Sequence, residues 1–129
     1  MNPHDLALRF FTKGGQDLAA ARALSHDLNI ADDIIGFHCQ QAVEKFLKAV
    51  LVQHNVVFRK THDLIELISL LEDHNLPVPE NQAALDELEP YAVTARYDFF
   101  DEPVHFNRKQ AINTVETVFE WTRQLIEKT

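Results

Sequence analysis

A single cysteine, three glycines and five prolines are all that this chain offers of the residues that staple or turn a backbone. One cysteine excludes an internal disulfide and fits a reducing cytoplasm, the expected location. So few glycines and prolines cannot serve the many tight turns of a β-sandwich. No apolar run approaches the ~20 residues of a membrane-spanning helix, and the N-terminus lacks the charged-then-apolar pattern of a secretory signal. Basic charge is scarce too. Twelve Lys and Arg against 20 Asp and Glu leave a net charge of −8 with the seven His neutral. That balance counts against sequence-independent binding along a nucleic-acid backbone, which needs a basic surface. Lys45, Lys48, Arg59 and Lys60 are the nearest thing to a local basic patch, and they read equally well as a solvated face with ion pairs.

What is present is helical periodicity, in a chain of 129 residues that reads as one domain with a real core. Leu6, Phe10, Phe11, Leu18, Ala21, Leu24 and Leu28 recur at threes and fours and predict a first helix over Asp5–Leu28. Gly14-Gly15 interrupts it, so either the helix bends there or another backbone approaches closely. Asn29 is placed to take the left-handed cap. A second helix, capped by Asp32 or Asp33, runs to about His54. On a 100° wheel its apolar arc holds Ile35, Cys39, Ala42, Val43, Phe46, Leu47, Ala49 and Val50. The opposite side holds His38, Gln40, Gln41, Glu44, Lys45 and Lys48, with Phe37 and Leu51 set among them. Those two make the polar side either the plain back of a core helix or a partner or ligand surface. Cys39, on the apolar arc, reads as a small buried hydrophobe.

Thr61 is expected to cap a third helix with Asp63 in its first turn, and Pro77 and Pro79 end it. Glu80–Glu89 predicts a weaker fourth helix. Pro90 either kinks it or opens a second piece carrying Tyr91, Val93, Ala95, Arg96 and Tyr97. Asn107 and Gln110 resemble a capping box ahead of the last helix, with Ile112, Val115, Val118, Phe119, Trp121, Leu125 and Ile126. The expectation is all-α, an up-and-down antiparallel bundle of about five helices, with no β-hairpin signal.

The chemistry is mostly negative. No His pair has metal-ligand spacing and no Cys cluster exists, so no metal is expected. Gly14-Gly15 is no phosphate loop, and no nucleophile elbow or Ser-His-Asp arrangement can be built. What remains is Gln41, Glu44, Lys45 and Lys48, then Thr61-His62-Asp63, then Arg96-Tyr97-Asp98. Helix two can pair Glu44 with Lys48 at i,i+4. Arg96 offers a planar fork, and the amides at the start of helix three favour an anion. If the three groups converge they form a site for a phosphate-bearing ligand such as ATP or GTP. If not, they are a cap and surface ion pairs.

Phe37-His38-Cys39-Gln40-Gln41-Ala42-Val43-Glu44-Lys45-Phe46-Leu47-Lys48-Ala49, then Thr61-His62-Asp63-Leu64, then Ala95-Arg96-Tyr97 resembles the HEPN domain (higher eukaryotes and prokaryotes nucleotide-binding). Asp17-Leu18 with Ala20 and Ala21 matches that family's first helix, so the resemblance runs over essentially the whole chain. It implies a five-helix bundle, usually a homodimer, acting beside a minimal nucleotidyltransferase and often in a toxin–antitoxin pair. Many such domains are metal-independent ribonucleases with an Arg, then four to six residues, then a His near the last helix. Here eight residues separate Arg96 from His105, three separate Arg22 from His26 and two separate Arg59 from His62, so that motif is not met. Arg96 and His105 stay as the candidates for catalysis, on RNA. The resemblance favours a nucleotide-binding or partner module. In it Lys45, Lys48 and Arg96 contact phosphates, Gln41 and Glu44 orient them or cross a dimer seam, and His62 and Tyr97 line the cleft. A purely structural dimerisation module is the plainer reading, with Phe37 and Leu51 as seam candidates.

Overall fold

The second helix is the axis on which everything else packs. In the computed structural model, which describes residues 1–92 and 106–127, five α-helices and no strand occur among the described residues. They are α1 (Pro3–Leu24), α2 (Asp32–Gln53), α3 (Leu64–Asp73), α4 (Gln82–Asp86) and α5 (Arg108–Glu127), with a 3-10 turn at Glu89–Tyr91. The fold is an all-α bundle. The short link between α1 and α2 makes them antiparallel neighbours, α5 packs along both, and α3 lies across α2. The main core joins Leu18 and Ala21 of α1, Ile35, Val43, Phe46, Leu47 and Val50 of α2, Leu64, Leu67 and Leu71 of α3, and Val115 and Val118 of α5.

Helix α1 runs unbroken through Gly14-Gly15. A Cβ on Gly14 would sit 2.7 Å from Phe46 Cε1 and 3.2 Å from the Ala42 carbonyl, whereas one on Gly15 would meet nothing within 4 Å. Of the two expectations, close approach is the correct one, and only Gly14 makes it. Phe46, fully buried, packs its ring against Phe11 and Phe119, each at a centroid distance of 5.7 Å, and those two stack on each other at 5.0 Å.

Several boundaries differ from the expectation. Helix α1 ends at Leu24, not Leu28, because the Ser25 hydroxyl turns back onto the Arg22 carbonyl and the chain enters a tight corner. Asn29 is not left-handed. Its amide donates to Asp27 Oδ1, and the positive-φ positions are Asn55 and Asn75, just past α2 and α3. The corner is held by Arg108 of α5, whose guanidinium donates to Asp32 Oδ1 (2.7 Å) and to the carbonyls of Ser25, Asp27 and Ile30. With Asp32 so engaged, the N-cap of α2 is Ala31, without a side-chain cap, and Asp32 and Asp33 favour the helix by sitting in its first turn. The fourth helix is only Gln82–Asp86, and Pro90 opens the separate 3-10 turn, as its missing N–H requires. Asn107 Oδ1 accepts from the Gln110 amide at the start of α5, so the cap predicted there is present.

Candidate functional site

The polar side of α2 is two rows of side chains, each gripping a different neighbour. The first row is Gln40, Glu44 and Lys48, four residues apart and so stacked along one face. All three are buried, at 0%, 4% and 9% exposure. They sit under the segment that leads into α3. Gln40 Nε2 donates to the His62 carbonyl at 2.8 Å. Lys48 Nζ donates to the Thr61 carbonyl at 3.0 Å and to Glu44 Oε2 at 3.1 Å. Glu44 Oε1 lies 2.8 Å from His62 Nδ1. The Lys48 ammonium also lies over the Phe58 ring, 5.5 Å from its centroid, a cation–π contact. Every buried polar group here has a partner, which is the condition for burying charge at all.

The second row faces α1. Asp17 places one carboxylate oxygen on Lys45 Nζ and the other on His38 Nδ1 at 2.9 Å. Between the rows, Gln41 Nε2 donates to Gln40 Oε1 at 2.8 Å. Helix α2 thus carries two parallel arrangements of lysine, carboxylate and histidine, one per flank, with both imidazoles partly exposed.

Of the residues singled out in the sequence, the structure brings Glu44, Lys48, Thr61, His62 and Asp63 together, and their polar groups contact one another. The N-cap of α3 is Asp63, not Thr61. Asp63 Oδ1 accepts from the amides of Ile65 (2.9 Å) and Glu66 (3.3 Å), and Thr61 Oγ1 accepts from Asp63 N at 3.0 Å. Glu89 Oε1 takes the next amide, that of Leu64, at 2.5 Å. The donors at the start of α3 therefore hold the protein's own carboxylates. Lys45 and Lys48 likewise hold Asp17 and Glu44 rather than standing open to a phosphate. Burial pushes the Glu89 carboxyl above its ordinary range, and the nearby charges of Asp63, Asp86 and Glu44 push the same way against the Leu64 amide.

The two seam candidates part company. Leu51 is fully buried in the core: the wheel put it on the polar side, but the chain after α2 folds over it and the Val56 amide donates to the Leu51 carbonyl at 2.9 Å. A residue inside the protomer cannot form a seam between protomers. Phe37 is half-buried, edge-on to the His38 ring. Arg96, Tyr97 and His105 lie outside the described residues. Tyr91 packs against Gly36 and meets Phe106 edge-on at 5.0 Å.

Two important residues escaped the sequence reading as partners. Glu89 was taken as the end of a helix, although an acid just before a proline and outside a helix is free to turn back onto another helix's amides. Arg108 was not singled out in the sequence, where nothing local marks it as the clamp of a distant corner. Cys39 is buried, with its thiol pushed up to about 12 by desolvation, so it is no nucleophile. No group of three or more His, Cys, Asp or Glu able to hold a metal occurs among the described residues. Arg9 and Lys13, with Leu8, Thr12 and Gln16, line a shallow depression on the outer face of α1 alone. No described helix is long and apolar enough to cross a membrane.

The sequence matches no curated protein. In fold it is similar to a crystal structure described as an archaeal HEPN homologue, with a TM-score of 0.68 and 20% sequence identity over 93% of this chain and 97% of that one. The HEPN domain model matches residues 7–125, which takes in both rows of α2, the Thr61–Asp63 segment and the whole core, and the chain belongs to the HEPN domain family.

Proposed function

We propose that this HEPN domain is a partner module, dimeric and acting beside a minimal nucleotidyltransferase in a toxin–antitoxin pair, rather than a ribonuclease or a nucleotide binder in its own right. The observation that carries this reading is the internal neutralisation of the polar side of α2. Lys45 and Lys48 are each held by a carboxylate of the same chain, and the amides opening α3 are taken by Asp63 and Glu89. A phosphate arriving there would have to displace hydrogen-bonded carboxylates, that of Glu44 buried, on a chain of net charge −8, which electrostatics disfavours. Elsewhere the pattern repeats, with Arg22 on Glu116, Arg59 on Glu66 and Arg108 on Asp32. A self-satisfied polar face rigidifies a scaffold and leaves recognition to its surface.

Light scattering on the purified chain is expected to give a dimer, and Phe37→Asp a folded monomer. Co-expression with a minimal nucleotidyltransferase encoded beside it is expected to give a stable complex. Calorimetry with ATP, GTP and a short RNA is expected to show no heat. Micromolar nucleotide binding would overturn the reading in favour of a nucleotide-binding module. RNA cleavage lost in both Arg96→Ala and His105→Ala would overturn it in favour of a nuclease.

A further inference from the structure

The 3-10 turn Glu89–Tyr91 is seated on two helices at once. At one end Glu89 Oε1 accepts from the amide of Leu64, which opens α3, at 2.5 Å. At the other end the Tyr91 ring lies so close over Gly36 of α2 that a Cβ there would sit 2.5 and 2.6 Å from two of its carbons. Leu88, just ahead of the turn, is buried. The Ala92 amide closes the turn on the Glu89 carbonyl at 3.2 Å, and Pro90 between the two ends has its φ fixed by its ring. So short and constrained a piece moves as a unit, and what happens at Glu89 is felt at Tyr91. Charge is arranged unevenly around it. Half-buried Glu89 feels the carboxylates of three other elements: Asp63 at the cap of α3, Asp86 of α4 and Glu44 of α2. The cations of that region are engaged elsewhere, Lys48 on Glu44, with the His62 ring on its other oxygen, and Arg59 on Glu66. Tyr91 faces Asp33 and Asp32 at the start of α2, where Arg108 holds Asp32. Desolvation and the like charges raise the Glu89 carboxyl, outweighing the Leu64 amide, which favours the anion.

We propose that this turn is a proton-sensitive latch, seated more firmly on α2 and α3 when Glu89 is protonated and less firmly when Glu89 is charged. The seated turn holds a proton more readily than the open one, in which Glu89 is back in water. The hold it adds is therefore fully present below the ordinary carboxylate range and is lost as pH rises through the value of the seated carboxyl. Linkage is reciprocal, so whatever unseats Tyr91 from Gly36 must also weaken the grip of Glu89 on its proton. The latch is a property of the chain by itself and does not depend on which partner the domain takes.

The test is a pH titration of the full chain, 13C-labelled at its glutamate carboxyls and followed by NMR, with the Glu89 signal assigned by its loss in Glu89→Gln. Glu89 is expected to titrate above the exposed Glu87, and the Leu64 amide proton to shift with the Glu89 midpoint. Hydrogen exchange at the Leu64 amide, corrected for its intrinsic rate, is expected to slow several-fold from neutral to mildly acidic pH in the parent and to lose that dependence in Glu89→Gln. Gly36→Ala, whose methyl pushes the Tyr91 ring away without touching Glu89, is expected to bring the Glu89 midpoint down toward that of Glu87. Tyr91→Ala, which removes the ring and adds no clash, is expected to do the same and serves if Gly36→Ala does not fold. A Glu89 midpoint at or below that of Glu87 in the parent, or one that Tyr91→Ala leaves unmoved in a folded chain, overturns the proposal.

Discussion

Alanine at Gly14 and alanine at Gly15 should move stability in opposite directions, although the two are neighbours on one helix. Each substitution gains about 1 kcal/mol of helix propensity. At Gly15 nothing opposes the gain, since no atom lies within 4 Å of the new methyl. At Gly14 the methyl would lie 2.7 and 2.8 Å from two atoms of the Phe46 ring. That ring has no exposed surface and packs against the stacked pair of Phe11 and Phe119, which leaves it little room to swing aside. Helix α1 cannot simply rotate either, with the Ala42 carbonyl 3.2 Å away on the other side. Overpacking of this kind costs about 3 kcal/mol at the upper end of its usual range. The net is about 2 kcal/mol of destabilisation at Gly14 against about 1 kcal/mol of gain at Gly15, from the same two terms. For a chain of this length that separates the two melting temperatures by about 10 °C. Urea and thermal unfolding followed by circular dichroism would measure both. If Gly14→Ala proves as stable as Gly15→Ala, the close packing of α1 on α2 is not what selects glycine there.

Three further outcomes follow from the buried polar groups. Lys48→Met should cost about 3–5 kcal/mol by leaving Glu44 buried without its cation; replacing both with apolar residues of similar size should recover much of that, as chemical denaturation would show. The Glu89 carboxyl is raised in the folded chain, so the stability it lends is fully present below its unfolded value and lost as pH rises through the folded one. Glu89→Gln, which still accepts from the Leu64 amide, should therefore unfold at higher denaturant than the parent at neutral pH, with the difference vanishing in acid. Cys39 should resist a thiol reagent in the native state at neutral pH and react only at the rate of unfolding, since its thiol is buried and held up to about 12.

The long helices were legible because one signal dominates them: apolar residues at threes and fours facing one core. What that signal cannot show is which polar residues are inside. Gln40 and Lys48 count as outward on any hydropathy wheel, yet they are buried because the carbonyls of His62 and Thr61 come to meet them. Leu51 was misplaced for the same reason, since what covers it comes from beyond its own helix. The cap of α3 shifted by two residues because Thr61 and Asp63 are both competent, and the carboxylate wins the two free amides while the hydroxyl takes Asp63's own. The motif places Glu44, Lys48 and Thr61–Asp63 near one another, as the structure shows, but it carries no information on whether a lysine's partner is a ligand or a neighbouring acid. Asp17, twenty-eight residues from Lys45, decides that.

The ring pair of Tyr91 and Phe106 has a bearing on how such a domain diversifies. With the two rings 5.0 Å apart, residues 91 and 106 are held at nearly the same spot on the bundle. Whatever length of chain joins them adds only a slowly growing closure entropy, about 0.6 kcal/mol per doubling. The stretch between is thus an exchangeable cassette, and it is the stretch that holds Arg96, Tyr97 and His105. Descendants of one ancestor could gain, lose or respace those residues by insertion and deletion there while the packing of α1, α2 and α5 went untouched. Chimeras that trade this cassette between family members, keeping the two aromatic anchors, are the natural way to separate what the scaffold does from what the exchanged residues do.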